Sequence, residues 1–239
     1  MLRKWLTEGI EAYGVRFVGC GLLVAGYLAV FGAGNALGVV HGDPVPHLEE
    51  GRARAGIQYS VTSRPILFYG YYTETYKAEF SRTGVTVDYG VTSQSMLKLY
   101  VGNTSIKIPE VSSKSYSGSE YGFGYHQAIG GDDSSRMGVM LSYHRAEGSA
   151  EGTKVGFDLV DAAFGVSAAL GSEMAGYAAV DYSAFWGNAR NGDTIDFEGE
   201  SRMGAFAGVE FNPNDQLMVG AEIHLLADSG FGLTAKYLF

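Results

Sequence analysis

The last nine residues, Phe231-Gly-Leu233-Thr-Ala235-Lys-Tyr237-Leu-Phe239, place an apolar side chain at every odd position and stop on an aromatic. Alternation with period two marks a strand whose two faces meet different surroundings. Chain ends tend to fray unless something ties them down. A strand that runs to the final residue therefore predicts a partner that holds it there, as the first strand of a closed sheet would.

Composition narrows the fold further. The 239 residues include 35 Gly, 16 Tyr and 13 Phe but only 5 Pro. Glycine costs about 1 kcal/mol against alanine inside a helix, so this density disfavours helices. It suits many strands, with Gly at close-packing points and Tyr at interfaces. Mean hydropathy is +0.01, which excludes a bundle of apolar helices of about 20 residues each. A membrane barrel stays near neutral because its apolar residues alternate with polar ones. The net charge of −9 gives no support to nucleic-acid binding, which calls for a basic patch. Cys20 is the single cysteine, so no disulfide is predicted.

Residues 1–36 read as a secretory signal. Arg3, Lys4 and Arg16 precede an apolar stretch over 17–33, and small residues follow at Gly34, Ala36 and Gly38. Positive region, apolar core and small-residue site are the three parts of such a leader, with cleavage placed after Ala36 or, alternatively, at Gly38. A single membrane anchor is the competing reading. Residues 37–52 form an irregular periplasmic lead-in, and 53–239 the barrel.

Alternation and turn residues predict ten strands, within a range of eight to twelve: 72–82, 84–92, 96–108, 119–129, 136–146, 155–170, 175–187, 202–211, 216–226 and 230–239. Asn212-Pro-Asn-Asp215 is a turn by its chemistry, since Pro presets φ and Asn and Asp tolerate left-handed conformations. The apolar phase flips within 155–170, from Val155/Phe157/Leu159 to Val160/Ala162/Phe164/Val166, which predicts a bulge. Longer connections at 109–118, 147–153 and 188–200 alternate with short ones at 130–134, 171–174 and 212–215. Residues 53–70 alternate but are interrupted by Pro65, and read either as two more strands or as a periplasmic segment.

The chain end resembles the terminal assembly signal of bacterial outer-membrane β-barrel proteins, with Phe239 and Tyr237 at the two aromatic positions. The resemblance implies a closed, antiparallel, up-and-down transmembrane barrel in a Gram-negative outer membrane. It implies contact with outer-membrane lipid, and with the barrel-assembly machinery during biogenesis. Alternating long and short connections fit the pattern of longer outer loops and short periplasmic turns.

With the apolar set facing lipid, the other set faces the lumen: Asp88, Lys98, His126, His144, Asp161, Asp181, Glu210, Glu222, His224 and Lys236. On the lipid face a mid-strand Lys or Arg would cost about 2–4 kcal/mol; inside, such charges pair or meet water. The three histidines form an interior hydrogen-bond network more readily than a metal site, because no ligand spacing supports a metal. Ser142 and His144 lie about 7 Å apart along one strand face, too far for a nucleophile and its base. Asp132-Asp133 falls in a Gly-rich turn. Tyr125, Tyr143, Tyr182, Trp186 and Tyr237 suit the interfacial girdles.

The function these features predict is non-enzymatic: a structural or surface protein, or a small porin-like one with a narrow polar lumen, needing no cofactor and meeting small solutes or a surface ligand. The rivals are an outer-membrane enzyme acting on lipid or peptide, and a soluble lipocalin-like ligand-binding barrel.

Overall fold

The alternating segments pair edge to edge until no edge is left. The computed structural model describes residues 40–70, 73–110, 113–132 and 134–239; the leader 1–36 lies outside them. Eleven antiparallel strands follow in order: β1 (Ala53–Tyr69), β2 (Thr73–Thr92), β3 (Ser95–Lys107), β4 (Ser115–Gly131), β5 (Ser135–Ala150), β6 (Thr153–Ala169), β7 (Met174–Asn191), β8 (Asp193–Gly199), β9 (Met203–Phe211), β10 (Leu217–Leu226) and β11 (Ser229–Leu238). β11 pairs with β1 from Arg54↔Leu238 to Ser63↔Ser229, which closes the sheet and leaves none of its strands as a free edge.

The barrel changes size along its axis. At the end that holds Phe239, β7 is followed by β9, β10 and β11 before the ring returns to β1, giving ten strands. At the other end β8 alone bridges the gap, pairing with β7 over Trp186–Asn191 and with β1 over Ile66–Tyr69. The ring there has eight strands. Pro65 falls between the two pairings of β1, where its neighbour changes from β11 to β8; a residue without an N–H is tolerated at such a break.

β9, β10 and β11 have 9, 10 and 10 residues, the length that crosses a bilayer at a tilt of about 45°. Most of the other strands run on for several residues beyond them. That projecting part is the collar; the pattern of outer-membrane barrels, with short periplasmic turns, assigns it to the outer side and the carboxyl terminus to the periplasm.

At the collar the sidedness of the wall inverts. Between the ends of the short strands, outward residues are apolar and exposed (Val85, Leu99, Phe123, Leu141, Phe164, Val180), while inward ones include Asp88, Lys98, Asp161 and Glu222. In the collar the inward residues are Ala78, Phe80, Ile106, Phe157, Phe185 and Phe197, all buried in one cluster, and outward ones include Lys77, Lys154 and Asp158. The lower barrel meets lipid outside; the collar meets water. The phase flip at Leu159/Val160 is this boundary, and the pairing of β6 with β5 and β7 runs without a register shift. The bulges lie elsewhere, at Gly90/Thr92 in β2 and Ala128/Gly130 in β4.

Three further expectations are corrected. The two strands expected at 72–82 and 84–92 are one, β2 over Thr73–Thr92, and Ala53–Tyr69 is another. Residues 147–153 are not a loop: β5 and β6 pair as far as Ala150↔Thr153, and Glu151 and Gly152 turn the chain with φ of 47° and 84°, as in a two-residue type I′ hairpin. The polar stretch 188–200 contains β8, its alternation hidden by Asn, Asp and Gly.

Candidate functional site: a lumen closed at two levels

Residues 40–49 form neither helix nor strand, and they lie inside the lower barrel rather than below it as the sequence suggests. Val40, His41, Asp43, Val45 and Leu48 are buried. The wall holds them largely by their main chain. Glu222 accepts from the His41 N–H at 2.9 Å and the Gly42 N–H at 2.8 Å. Lys98 Nζ donates to the carbonyls of Val40 and His41 at 2.6 and 3.0 Å. The His126 ring bonds the Asp43 carbonyl at 2.9 Å, and Arg136 reaches that of Pro46 at 3.5 Å.

Wall glycines make the space. A Cβ on Gly232 would stand 2.4 Å from Val40 Cγ2, one on Gly138 2.5 Å from the Pro44 carbonyl oxygen, and one on Gly90 2.1 Å from that of Glu49. His41 also stacks against Phe206, with ring centroids 4.6 Å apart. At the mouth, His47 Nε2 lies 2.7 Å from Asp43 Oδ2 and 3.2 Å from Ser167 Oγ, and Ser167 donates to the same carboxylate oxygen. Burial disfavours the imidazolium, but the Asp43 hydrogen bond and charge outweigh it, so the pKa of His47 is raised above its ordinary value.

Paired charges line the wall beside the segment, around Asp88, and above it, beneath the collar core. Lys236 Nζ is 2.6 Å from Asp88, with Arg54 at 3.5 Å. Glu120 binds Arg82 Nε at 3.0 Å and His144 Nδ1 at 3.1 Å. Arg64 pairs with Asp228 and donates to Ser183 Oγ at 2.7 Å. Pairing is what makes these charges tolerable away from water. The two arginines also floor the collar core: Arg64 lies 5.1 Å from the Phe185 ring centroid and Arg82 5.2 Å from that of Phe80. Phe157 packs on Phe80 and Phe185 at 5.4 and 5.1 Å. A core of this kind closes the outer end as an ordinary protein interior would.

All ten residues assigned to the lumen from the sequence are buried. They do not form one network. Asp88 joins Lys236, Glu222 joins His224 and Tyr177, and His144 joins Glu120, whereas Lys98 and His126 serve the inserted segment. Sequence reasoning missed Arg54, Arg64, Arg82, Glu120 and Asp228. Glu120 was within reach, sharing the parity of His126 on β4; Arg54 and Arg64 depended on recognising β1.

Ser142 and His144 do not meet: Ser142 donates to Asp161 at 3.4 Å, and His144 is held by Glu120. In the Asp43–His47–Ser167 group both partners sit on one ring nitrogen, whereas an acyl-transfer relay uses two. Asp132 caps its turn through the N–H groups of Ser134 and Ser135. Among the described residues no group of three or more His, Cys, Asp and Glu is placed to hold a metal ion. Of the girdle residues, Tyr125, Tyr182, Trp186 and Tyr237 are exposed, and Tyr143 is half-buried against Asp158.

A closed, even-numbered antiparallel ring, an apolar outward band, exposed aromatics and a polar lower lumen define a transmembrane β-barrel of the outer-membrane type. No protein-family model and no curated protein matches the chain. Solved structures of similar fold include the outer membrane protease OmpT from Escherichia coli (10% identity, TM-score 0.44, 78% of this chain and 95% of that one). Others are an outer membrane channel from Pseudomonas putida F1 (11%, 0.43, 84% and 99%) and the outer membrane protein OprG from Pseudomonas aeruginosa (12%, 0.37, 80% and 97%). A protease and a channel stand side by side among them, and no activity carries over to this chain.

Proposed function

We propose that the protein is a non-enzymatic outer-membrane barrel that works at the cell surface and does not conduct solute along its axis. The observation that carries this reading is the double closure, by residues 40–49 below and by the aromatic core in the collar. An apolar constriction dewets, and the two voids deep beside the inserted segment are about 10 Å³ each, room for about one water, while a recess of about 500 Å³ beside His47 and Arg54 lies at its mouth. The collar also carries an open groove of about 870 Å³, whose lining includes Arg145, Asp158, Trp186, Asn188, Arg190 and Glu198. Such a mixed polar and aromatic lining suits a surface ligand. In planar bilayers the intact protein is expected to give no stable conductance steps. Large, long-lived steps would defeat this reading in favour of the porin-like one.

Biogenesis follows from the chain end. Residues 1–36 act as a cleaved secretory signal, and Tyr237 and Phe239 as the assembly signal. Both rings are exposed and meet edge to face at 5.4 Å, available to a recognition partner. Deleting Phe239 is expected to cut the heat-modifiable folded band in outer-membrane fractions severalfold while leaving refolding into detergent largely intact. Equal loss in both settings would make Phe239 a stability residue instead.

A further inference from the structure

The lower lumen treats residues 40–48 as a bound peptide. Five of the wall's hydrogen bonds to the segment, those from Glu222, Lys98 and His126, go to its N–H and carbonyl groups at 2.6–3.0 Å. None of these reads a side chain. Lys98 and His126 turn to the segment rather than to a wall carboxylate. Lys98 Nζ donates to two of the segment's carbonyls, and each Glu222 carboxylate oxygen takes one of its amides together with one wall group, His224 or Tyr177. Glycine at 90 and 138 brings the wall against the segment's main chain, where any Cβ would collide, and Gly232 makes room for the Val40 side chain. Side-chain contacts add Asp43, which receives Ser167 and His47, Pro44, whose ring lies 2.8 Å from where a Cβ on Gly165 would stand, His41 against Phe206, and Val40 against Gly232. Among the described residues the segment joins the wall through the short connection to β1 at Ala53, at the end of the barrel that holds Phe239.

We infer that the lower lumen is a binding site for an extended peptide containing an Asp-Pro step, held by this chain's own residues 40–48 and open, when they leave, to a peptide arriving from the periplasmic side. A peptide seat at the bottom is compatible with a silent or a conducting barrel, and so does not depend on the surface reading. Main-chain recognition makes occupancy in trans equivalent to occupancy in cis except for the tether. A short tether gives an effective concentration of the order of millimolar, so a free copy of the segment competes evenly at that concentration.

The test uses the full chain with Cys20→Ser and Val45→Cys, which leaves one thiol, at a position that is buried while the segment is seated. Maleimide labelling in detergent is followed while a synthetic peptide of residues 40–49 is added, and a gel-shift assay on each sample confirms that the barrel is folded. The labelled fraction is expected to rise saturably, reaching about half at millimolar peptide. The same peptide N-methylated at the His41 and Gly42 amides, which Glu222 cannot then bind, is expected to have no effect. Glu222→Gln in the same background is expected to raise labelling without peptide about tenfold or more, because it weakens two charge-assisted bonds. No response to the unmodified peptide, or equal responses to both peptides, would overturn the inference, and the peptide arm does not depend on whether the Glu222 variant folds.

Discussion

Arg82→Met is expected to cost the folded barrel about 3–5 kcal/mol, the penalty of stranding one member of a buried ion pair. Glu120 is almost wholly enclosed and has two partners, the Arg82 guanidinium at 3.0 Å and the His144 imidazole at 3.1 Å. Removing the guanidinium leaves the carboxylate with the imidazole alone and no route to water. It also takes a cation from beneath Phe80 and Phe157, 5.2 and 5.7 Å away, a smaller loss of about 0.5–2 kcal/mol. The double change Arg82→Met/Glu120→Gln is expected to recover most of the deficit, since a neutral amide is far cheaper to bury than an unpaired charge. Urea unfolding in detergent, followed by the heat-modification gel shift, reads both variants. A single variant that loses less than about 1 kcal/mol, or a double variant no better than the single, would show that the pair is not desolvated.

Phe157→Ala is expected to be comparably severe, at about 3–5 kcal/mol for a large side chain removed from a close-packed core. Phe157 is 2% exposed and touches Phe80 and Phe185 through its ring. Its counterpart on the same strand is Phe164, 46% exposed on the outward face below the boundary. Phe164→Ala leaves no internal cavity and loses only the transfer of the ring from water to lipid, so its cost is expected to be smaller, at most about 1.5–3 kcal/mol. Equal effects at 157 and 164 would mean that the collar has no interior of its own.

The lower barrel was legible because its wall separates lipid from a polar lumen, the condition under which period-two alternation is clean. Residues 216–226 and 230–239 read correctly for that reason. The collar was not legible as such, although its evidence was in view. Val155, Phe157 and Leu159 have the opposite phase to Phe164 and Val166 because their surroundings are exchanged, and alternation alone does not distinguish a change of surroundings from an inserted residue. β1 was obscured by Pro65, which marks a change of neighbour and not an end, and by Arg54 and Arg64, whose partners come from distant strands. β8 has only seven residues and little apolar signal beyond Ile195 and Phe197. The seat of residues 40–49 was hidden for a different reason: a site that grips main chain leaves no pattern in the side chains of what it binds. Its trace lay in the wall, in Gly138, Gly165 and Gly232, which read as generic small residues until something fills the lumen.

Thiol accessibility along β6 tests the double closure and the membrane boundary together. Single cysteines in a Cys20→Ser background at 156, 157, 158, 163 and 164, reconstituted into liposomes, would be exposed to a bulky membrane-impermeant maleimide on both sides. The account predicts fast labelling at 156 and 158, on the wet outer face of the collar. It predicts protection at 157, inside the core, at 163, facing the filled lumen, and at 164, facing lipid. Labelling at 163 as fast as at 158 would mean a lumen open to water, and would contradict the sealed barrel.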